Sequence, residues 1–197
     1  MEKVLVTGGL GHIGSYLIRQ TTKEPKEIIV VDDLSTKRYS SLFHLREHVT
    51  FKEGKYQDLR SQDLKDIDAV VHLAAVTDAA GSFKDTQRVE EENLTNACEF
   101  FLKCESSGVH RFIYPSTTSV YGSGADGALL NEDTTSSENP QSPYARSKLQ
   151  FEQFIEKGTM PFSILRFGTI FGVSPGMRFH TAVNKFCWQA AYGNPLT

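Results

Sequence analysis

Three features of the sequence predict an α/β fold with a doubly wound parallel sheet. Apolar strands alternate with amphipathic helices along nearly the whole chain. A glycine-rich turn, Thr7-Gly8-Gly9-Leu10-Gly11-His12-Ile13-Gly14, joins the first strand to the first helix. An acidic pair, Asp32-Asp33, closes the second strand, and Asp32 lies 18 residues after Gly14. Strand, glycine turn, helix, strand and acid in that order describe a Rossmann-type dinucleotide-binding unit.

The elements follow from pattern. Lys3–Val6 is expected as the first strand and His12–Gln20 as the helix after the turn. Glu27–Val31, Val49–Lys52, Ala69–Leu73, Arg111–Tyr114 and Pro161–Leu165 supply five more strands. Thr86–Ser106 is expected as a long helix, with Val89, Asn93, Ala97, Phe100, Phe101 and Cys104 at helical spacing. Gly122–Pro140 is a polar loop too long for a simple connector, the kind that often carries function. Ser142–Glu156 is a helix entered through Ser-Pro, and Met177–Ala191 a final one. A first domain is expected over residues 1–167, with 168–197 beyond it.

The 197 residues are 39% hydrophobic and 23% charged, with a net charge of −3, as in an ordinary globular protein. Nothing in that balance points to nucleic acid or an anionic membrane. No apolar run approaches the roughly 20 residues of a membrane span. The opening MEKVLVTGG leads directly into a strand, without a secretory pattern. Cys98, Cys104 and Cys187 are odd in number and lack metal spacing, which argues against disulfides and zinc and for a cytoplasmic setting. His44 and His48 are expected on a solvated helix face.

Each motif has a chemical reason. Glycines at a strand-to-helix turn let the backbone approach a pyrophosphate, and the helix N-terminus offers unpaired N–H groups. The spacing is Gly8, Gly11, Gly14, one residue longer at the first gap than the common fingerprint. Asp32 is placed to bond the adenosine ribose and repel a 2′-phosphate, which favours NAD over NADP. Lys37 and Arg38 follow closely. Tyr144 and Lys148 stand at i and i+4, so a helix puts both on one face. An ammonium there is expected to lower the phenol's pKa and make Tyr144 a general base. Pro115-Ser116-Thr117-Thr118-Ser119 follows an apolar strand, and ligands bind at the carboxyl ends of such strands.

Together these motifs resemble the extended short-chain dehydrogenase/reductase family, and within it the NAD-dependent nucleotide-sugar epimerases and dehydratases. The matching pieces are TGGLGHIG, VVDDLS, QDLR at 57–60, HLAA at 72–75, Asn93, STTSVYG at 116–122, PYARSK at 143–148 and LRFGTIFG at 165–172. The resemblance implies that Gly8, Gly11 and Gly14, with His12 and Ile13, hold the pyrophosphate of NAD. Asp32, with Asp33 beside it, takes the ribose. Asp58 bonds the adenine amino group, with Leu59 against the ring. Leu73, Ala74 and Ala75 line the cofactor channel, with Asn93 and Phe167 also counted as cofactor contacts. Thr117, Tyr144 and Lys148 form the catalytic triad. Thr118, Ser119 and Thr169 occupy positions that face the substrate, a nucleotide-sugar.

The sequence departs from the family at three places. Sugar 4,6-dehydratases carry acidic residues in the two positions after the catalytic Ser/Thr, whereas Thr118 and Ser119 stand here. Many relatives have an asparagine three residues after the arginine of the LR pair, where Thr169 stands here. Relatives continue well past this length. The residues leave open an epimerase, a sugar dehydrogenase, reductase or dehydratase, and a catalytically incomplete NAD-binding module. The resemblance also implies a homodimer through a four-helix contact of Thr86–Ser106 and Ser142–Glu156. Phe100, Phe101, Phe151 and Phe154 lie either in that contact or against the protein's own sheet.

Overall fold

A computed structural model describes residues 2–21, 26–79, 81–122, 130–132, 138–179 and 181–197. Six parallel strands form one sheet: β1 (Lys3–Thr7), β2 (Glu27–Asp32), β3 (Val49–Glu53), β4 (Ala69–His72), β5 (Arg111–Thr117) and β6 (Phe162–Phe167). Their spatial order is β3-β2-β1-β4-β5-β6, that of a Rossmann sheet. The chain reverses direction across the sheet between β1 and β4, where Thr7 pairs with Val31 on one side and His72 on the other. The carboxyl ends of these strands therefore open one crevice, the expected ligand position in such sheets.

Alternation along β1 explains the two cores. Val4 and Val6 face one side, with Ile28, Val30 and Ala69, and pack with Leu10 of the glycine turn and Ile18 of α1 (His12–Gln20). Leu5 faces the other side with Val70, Phe112 and Tyr114. Above them lie α3 (Asn96–Ser106) and α4 (Pro143–Ile155). Phe101, Phe112 and Phe151 meet there edge to face, with ring centroids 5.1 to 6.5 Å apart.

Those contacts locate the four phenylalanines weighed for a dimer. Phe100, Phe101 and Phe151 are fully buried in the protein's own core, and Phe154 packs against it. Only Phe154, which is half-buried, keeps any exposed surface.

Several elements differ from the sequence expectation. The long helix of 86–106 is α2 (Thr86–Glu90), one π turn over Glu91–Thr95, and then α3. Inside that turn Asn93 points inward and bonds the backbone of Val76. β5 runs three residues beyond Tyr114 because β6 keeps pairing with it as far as Thr117 and Phe167. The final helix, α5 (Ala182–Ala191), starts five residues later than expected. His44 and His48 lie outside any helix: the chain forms only a short turn over Tyr39–Leu42, and His44 takes a positive φ of 57°. The expected loop of 122–140 falls largely outside the described residues. All three cysteines are free thiols. Among the described residues no helix is long and apolar enough to cross a membrane.

Candidate active site

A cleft of about 940 Å³ runs along the carboxyl ends of β1, β2, β4 and β5. The glycine turn forms its floor. Gly8 adopts φ +63°, and a Cβ there would stand 2.7 Å from Ala74 Cα, so the loop after β4 lies directly against the turn. Gly11 is the N-cap of α1 and offers no side-chain cap, which leaves the first-turn N–H groups open. Gly11, His12, Ile13 and Gly14 all line the cleft.

Asp32 closes the far side. Its Oδ2 accepts from Leu10 N at 3.1 Å and its Oδ1 from Leu34 N at 3.0 Å. Burial raises its pKa, while those N–H groups and the Arg38 charge pull the other way. The bonds fix the carboxylate at the cleft wall with lone pairs to spare. Asp33 lines the wall beside it.

The catalytic candidates converge. Ser142 caps α4 by accepting from Ala145 N at 3.1 Å, and Pro143 fills the first helical position. That start puts Tyr144 and Lys148 on one face, toward the cleft, with Thr117 at the end of β5 opposite. Thr117 Oγ1 accepts from Ser119 N at 3.1 Å, leaving its own O–H free to donate. Lys148 is 4% exposed. Its Nζ donates to Pro115 O at 3.0 Å and lies 4.5 Å from the Tyr114 ring centroid and 5.9 Å from that of Tyr144.

The electrostatics correct one expectation. Burial pushes the Tyr144 phenol above the usual tyrosine range, and the charge opposing that shift is Arg178. Burial also pulls Lys148 down to about 7, against support from Glu152. Arg178, rather than Lys148, is therefore the charge that opposes the effect of burial on the phenol. Spacing places the pair correctly but says nothing about desolvation.

Half of the remaining predicted residues reach the cleft: Leu73, Ala74, Ala75, Phe167 and Thr169 line it. Five do not. Asp58 is exposed and Leu59 is 3% exposed within the core, while Lys55, Tyr56 and Gln57 occupy that stretch of wall. Gly54, at φ +146°, turns the chain so that the earlier residues face inward. Asn93 is a buttress: it accepts from Val76 N and donates to Val76 O, both at 2.8 Å, and Val76 lines the cleft. Thr118 and Ser119 are exposed and outside the lining.

Residues the sequence reading missed include Arg178 and Ser116. Both line the cleft, and Ser116 Oγ is buried with no partner among the described residues. The hydroxyl run after β5 carried a signal for Ser116. Arg178 had none, because it arrives from a distant segment.

The open amides of α1, the space kept at Gly8 and the acid at Asp32 fit a dinucleotide. The fold and this site together have the architecture of a Rossmann-type dinucleotide-binding protein. The sequence matches the NAD dependent epimerase/dehydratase family over residues 4–193, and the chain belongs to that family. It is 32% identical over 193 residues to a dTDP-D-glucose 4,6-dehydratase of Dictyostelium discoideum, covering 87% of this chain and 44% of the relative. It is 31% identical over 160 residues to a UDP-glucose 4-epimerase of Erwinia amylovora, covering 77% of this chain and 47% of the relative. The chain thus spans under half the length of these curated relatives. Among solved structures, the UDP-glucuronic acid 4-epimerase of Bacillus cereus in complex with UDP-glucuronic acid and NAD superposes with a TM-score of 0.84 at 30% identity, covering 98% of this chain and 64% of that one. A UDP-N-acetylglucosamine 4-epimerase of Methanobrevibacter ruminantium M1 gives 0.84 at 27% identity, with 98% and 64% covered.

Proposed function

We propose that this chain is the cofactor-binding and catalytic part of an NAD-dependent epimerase that acts on a nucleotide-sugar through a transient keto intermediate. The observation that carries this reading is the convergence of Thr117, Tyr144 and Lys148 on a cleft that the glycine turn and Asp32 also line. Gly8, Gly11 and Gly14, with the amides of His12 and Ile13, hold the pyrophosphate, and Asp32 holds the adenosine ribose. Bound NAD supplies the acceptor and donor of hydride. Tyr144 takes the proton from the sugar hydroxyl as that carbon is oxidised, and returns it when the ketone is reduced on its other face. The Thr117 hydroxyl holds the reacting oxygen. Lys148 binds the nicotinamide ribose from the same helix face.

The dehydratase among the relatives raises a second reading. Two features favour epimerisation. Thr118 and Ser119 stand where dehydratases carry acids, and neither hydroxyl does acid–base work near neutral pH. Both are also exposed, away from the cleft lining. A dehydrogenase would produce NADH in net amount, whereas an epimerase leaves no net redox change. An incomplete module would bind NAD and turn over no nucleotide-sugar.

The test is Tyr144→Phe, assayed by NMR on a nucleotide-sugar panel. Loss of turnover by at least about 100-fold with NAD binding retained is expected. Equal turnover in the variant sinks the assignment. We further assign residues 168–197 to the start of a substrate-binding domain and, on the free thiols, the protein to the cytoplasm. Any four-helix homodimer would use the outer faces of α3 and α4, where Glu99, Leu102, Arg146, Gln150 and Gln153 are exposed.

A further inference from the structure

We propose that Arg178 and Arg38 form a diphosphate-binding pair in the cleft, with Arg178 delivered by a strap, residues 172–178, fastened onto the glycine turn. The proposal rests on the reading of the cleft as a dinucleotide and nucleotide-sugar site.

The strap is fixed at three points. His12 Nε2 and Gly172 O lie 3.0 Å apart. Ser40 Oγ donates to Pro175 O at 2.8 Å, and Gly176 N to Ser15 Oγ at 2.9 Å. At Gly176 an added Cβ would collide with the carbonyls of Leu10 and Gly11, so strap and turn touch backbone to backbone. Asn184 of α5 clamps both ends: its Oδ1 accepts from Gly172 N at 2.9 Å and its Nδ2 donates to Arg178 O at 2.8 Å. The strap therefore has little freedom, and the position of Arg178 is set in advance of any ligand.

Arg178 lines the cleft half-buried, and its Nε is buried with no hydrogen-bond partner among the described residues. Arg38 lines the same cleft half-buried, with Nη1 3.4 Å from where a Gly11 Cβ would stand. Neither arginine makes an ion pair among the described residues. After the cost of burial, the next effect on Arg178 is repulsion from Arg38, with Tyr144 and Asp78 acting in its favour. Arg38 feels Asp32 in the same sense. Two guanidinium groups lining one cleft, neither of them ion-paired among the described residues, beside the open amides of a helix start, suit a ligand with two adjacent negative groups. A diphosphate has that charge and size, and its oxygens match the fork of an arginine. Both the dinucleotide and a nucleotide-sugar carry one.

Calorimetric titration separates the two sources. Wild type, Arg178→Gln, Arg178→Lys and Arg38→Gln are each titrated with NAD and with uridine diphosphate at two salt concentrations. Loss of about tenfold or more in affinity in Arg178→Gln, partly recovered in Arg178→Lys and with a shallower salt dependence, is expected for at least one ligand. A loss confined to NAD assigns the pair to the dinucleotide, and a loss confined to uridine diphosphate assigns it to the substrate. A change of twofold or less for both ligands overturns the proposal while the function reading stands. A wild-type chain that binds neither ligand overturns both, and does so before any variant is made.

Discussion

Glu152 provides the sharpest test of how the catalytic helix is supported. It lies one helical turn beyond Lys148 on α4 and is 1% exposed. Its Oε2 accepts from Arg166 Nε at 3.0 Å and from Arg166 Nη2 at 2.6 Å. Arg166 also pairs with Glu138, and its guanidinium lies 4.9 Å from the Tyr121 ring centroid. Removing one member of a buried ion pair costs about 3–5 kcal/mol, because the other charge is left behind. Here Glu138 stays close, so Glu152→Ala should fall at the low end, about 3 kcal/mol. At about 2–4 °C per kcal/mol for a chain of this size, the melting temperature should fall by about 6–12 °C. Thermal and urea unfolding of Glu152→Ala, Arg166→Ala and the double variant close a cycle. A coupling between the two of about 1 kcal/mol or more is expected. Additive single effects, or a loss below about 1 kcal/mol for Glu152→Ala, would refute the argument that this pair is a coupled buried unit.

Other consequences follow from charge and burial. Lys148 has a folded pKa near 7, below its usual value, so the unfolded chain binds more protons between about pH 7 and 10. Stability should therefore rise with pH there, and the advantage of Lys148→Met over wild type should shrink by up to about 1.4 kcal/mol per pH unit as pH rises. A pH-independent difference between the two in denaturant titrations would contradict this. His72, fully buried beside Thr7 Oγ1 at 2.8 Å, is pulled down to about 3 by burial, with the Lys148 charge acting the same way. It is neutral in the fold, so its contribution is lost as pH falls from about 6.5 toward 3. Replacing His72 by Phe should flatten acid unfolding in that window, and an unchanged acid profile would count against a neutral His72. Phe151→Ala, at the centre of the aromatic core, should cost about 3–5 kcal/mol by urea unfolding. A cost near zero would mean that the core collapses around the gap.

Local signals made the fold legible. Strand alternation, the glycine turn and Ser142-Pro143 as a helix start each depend on neighbours in sequence, and their elements stand where the pattern put them. Tyr144, Lys148 and Thr117 were legible for the same reason: a four-residue spacing on a helix and a hydroxyl run at a strand end. What escaped depends on distant segments or on desolvation. Of QDLR at 57–60, Gln57 lines the cleft while Asp58 is exposed and outside the lining, a division that the motif alone does not reveal. Asn93 had the right place for a cofactor contact, yet its amide satisfies Val76. The expected lowering of the Tyr144 phenol is outweighed by the phenol's own burial, which a four-residue spacing does not reveal. Arg178 stood in the sequence without a motif and acquires meaning only once the strap crosses the glycine turn.

The most direct test of the central claim is calorimetric titration of this chain with NAD, with NADP in parallel. The account predicts that NAD binds and that NADP binds more weakly, since Asp32 meets the adenosine ribose and repels a 2′-phosphate. Binding of neither, or equal binding of both, would contradict it.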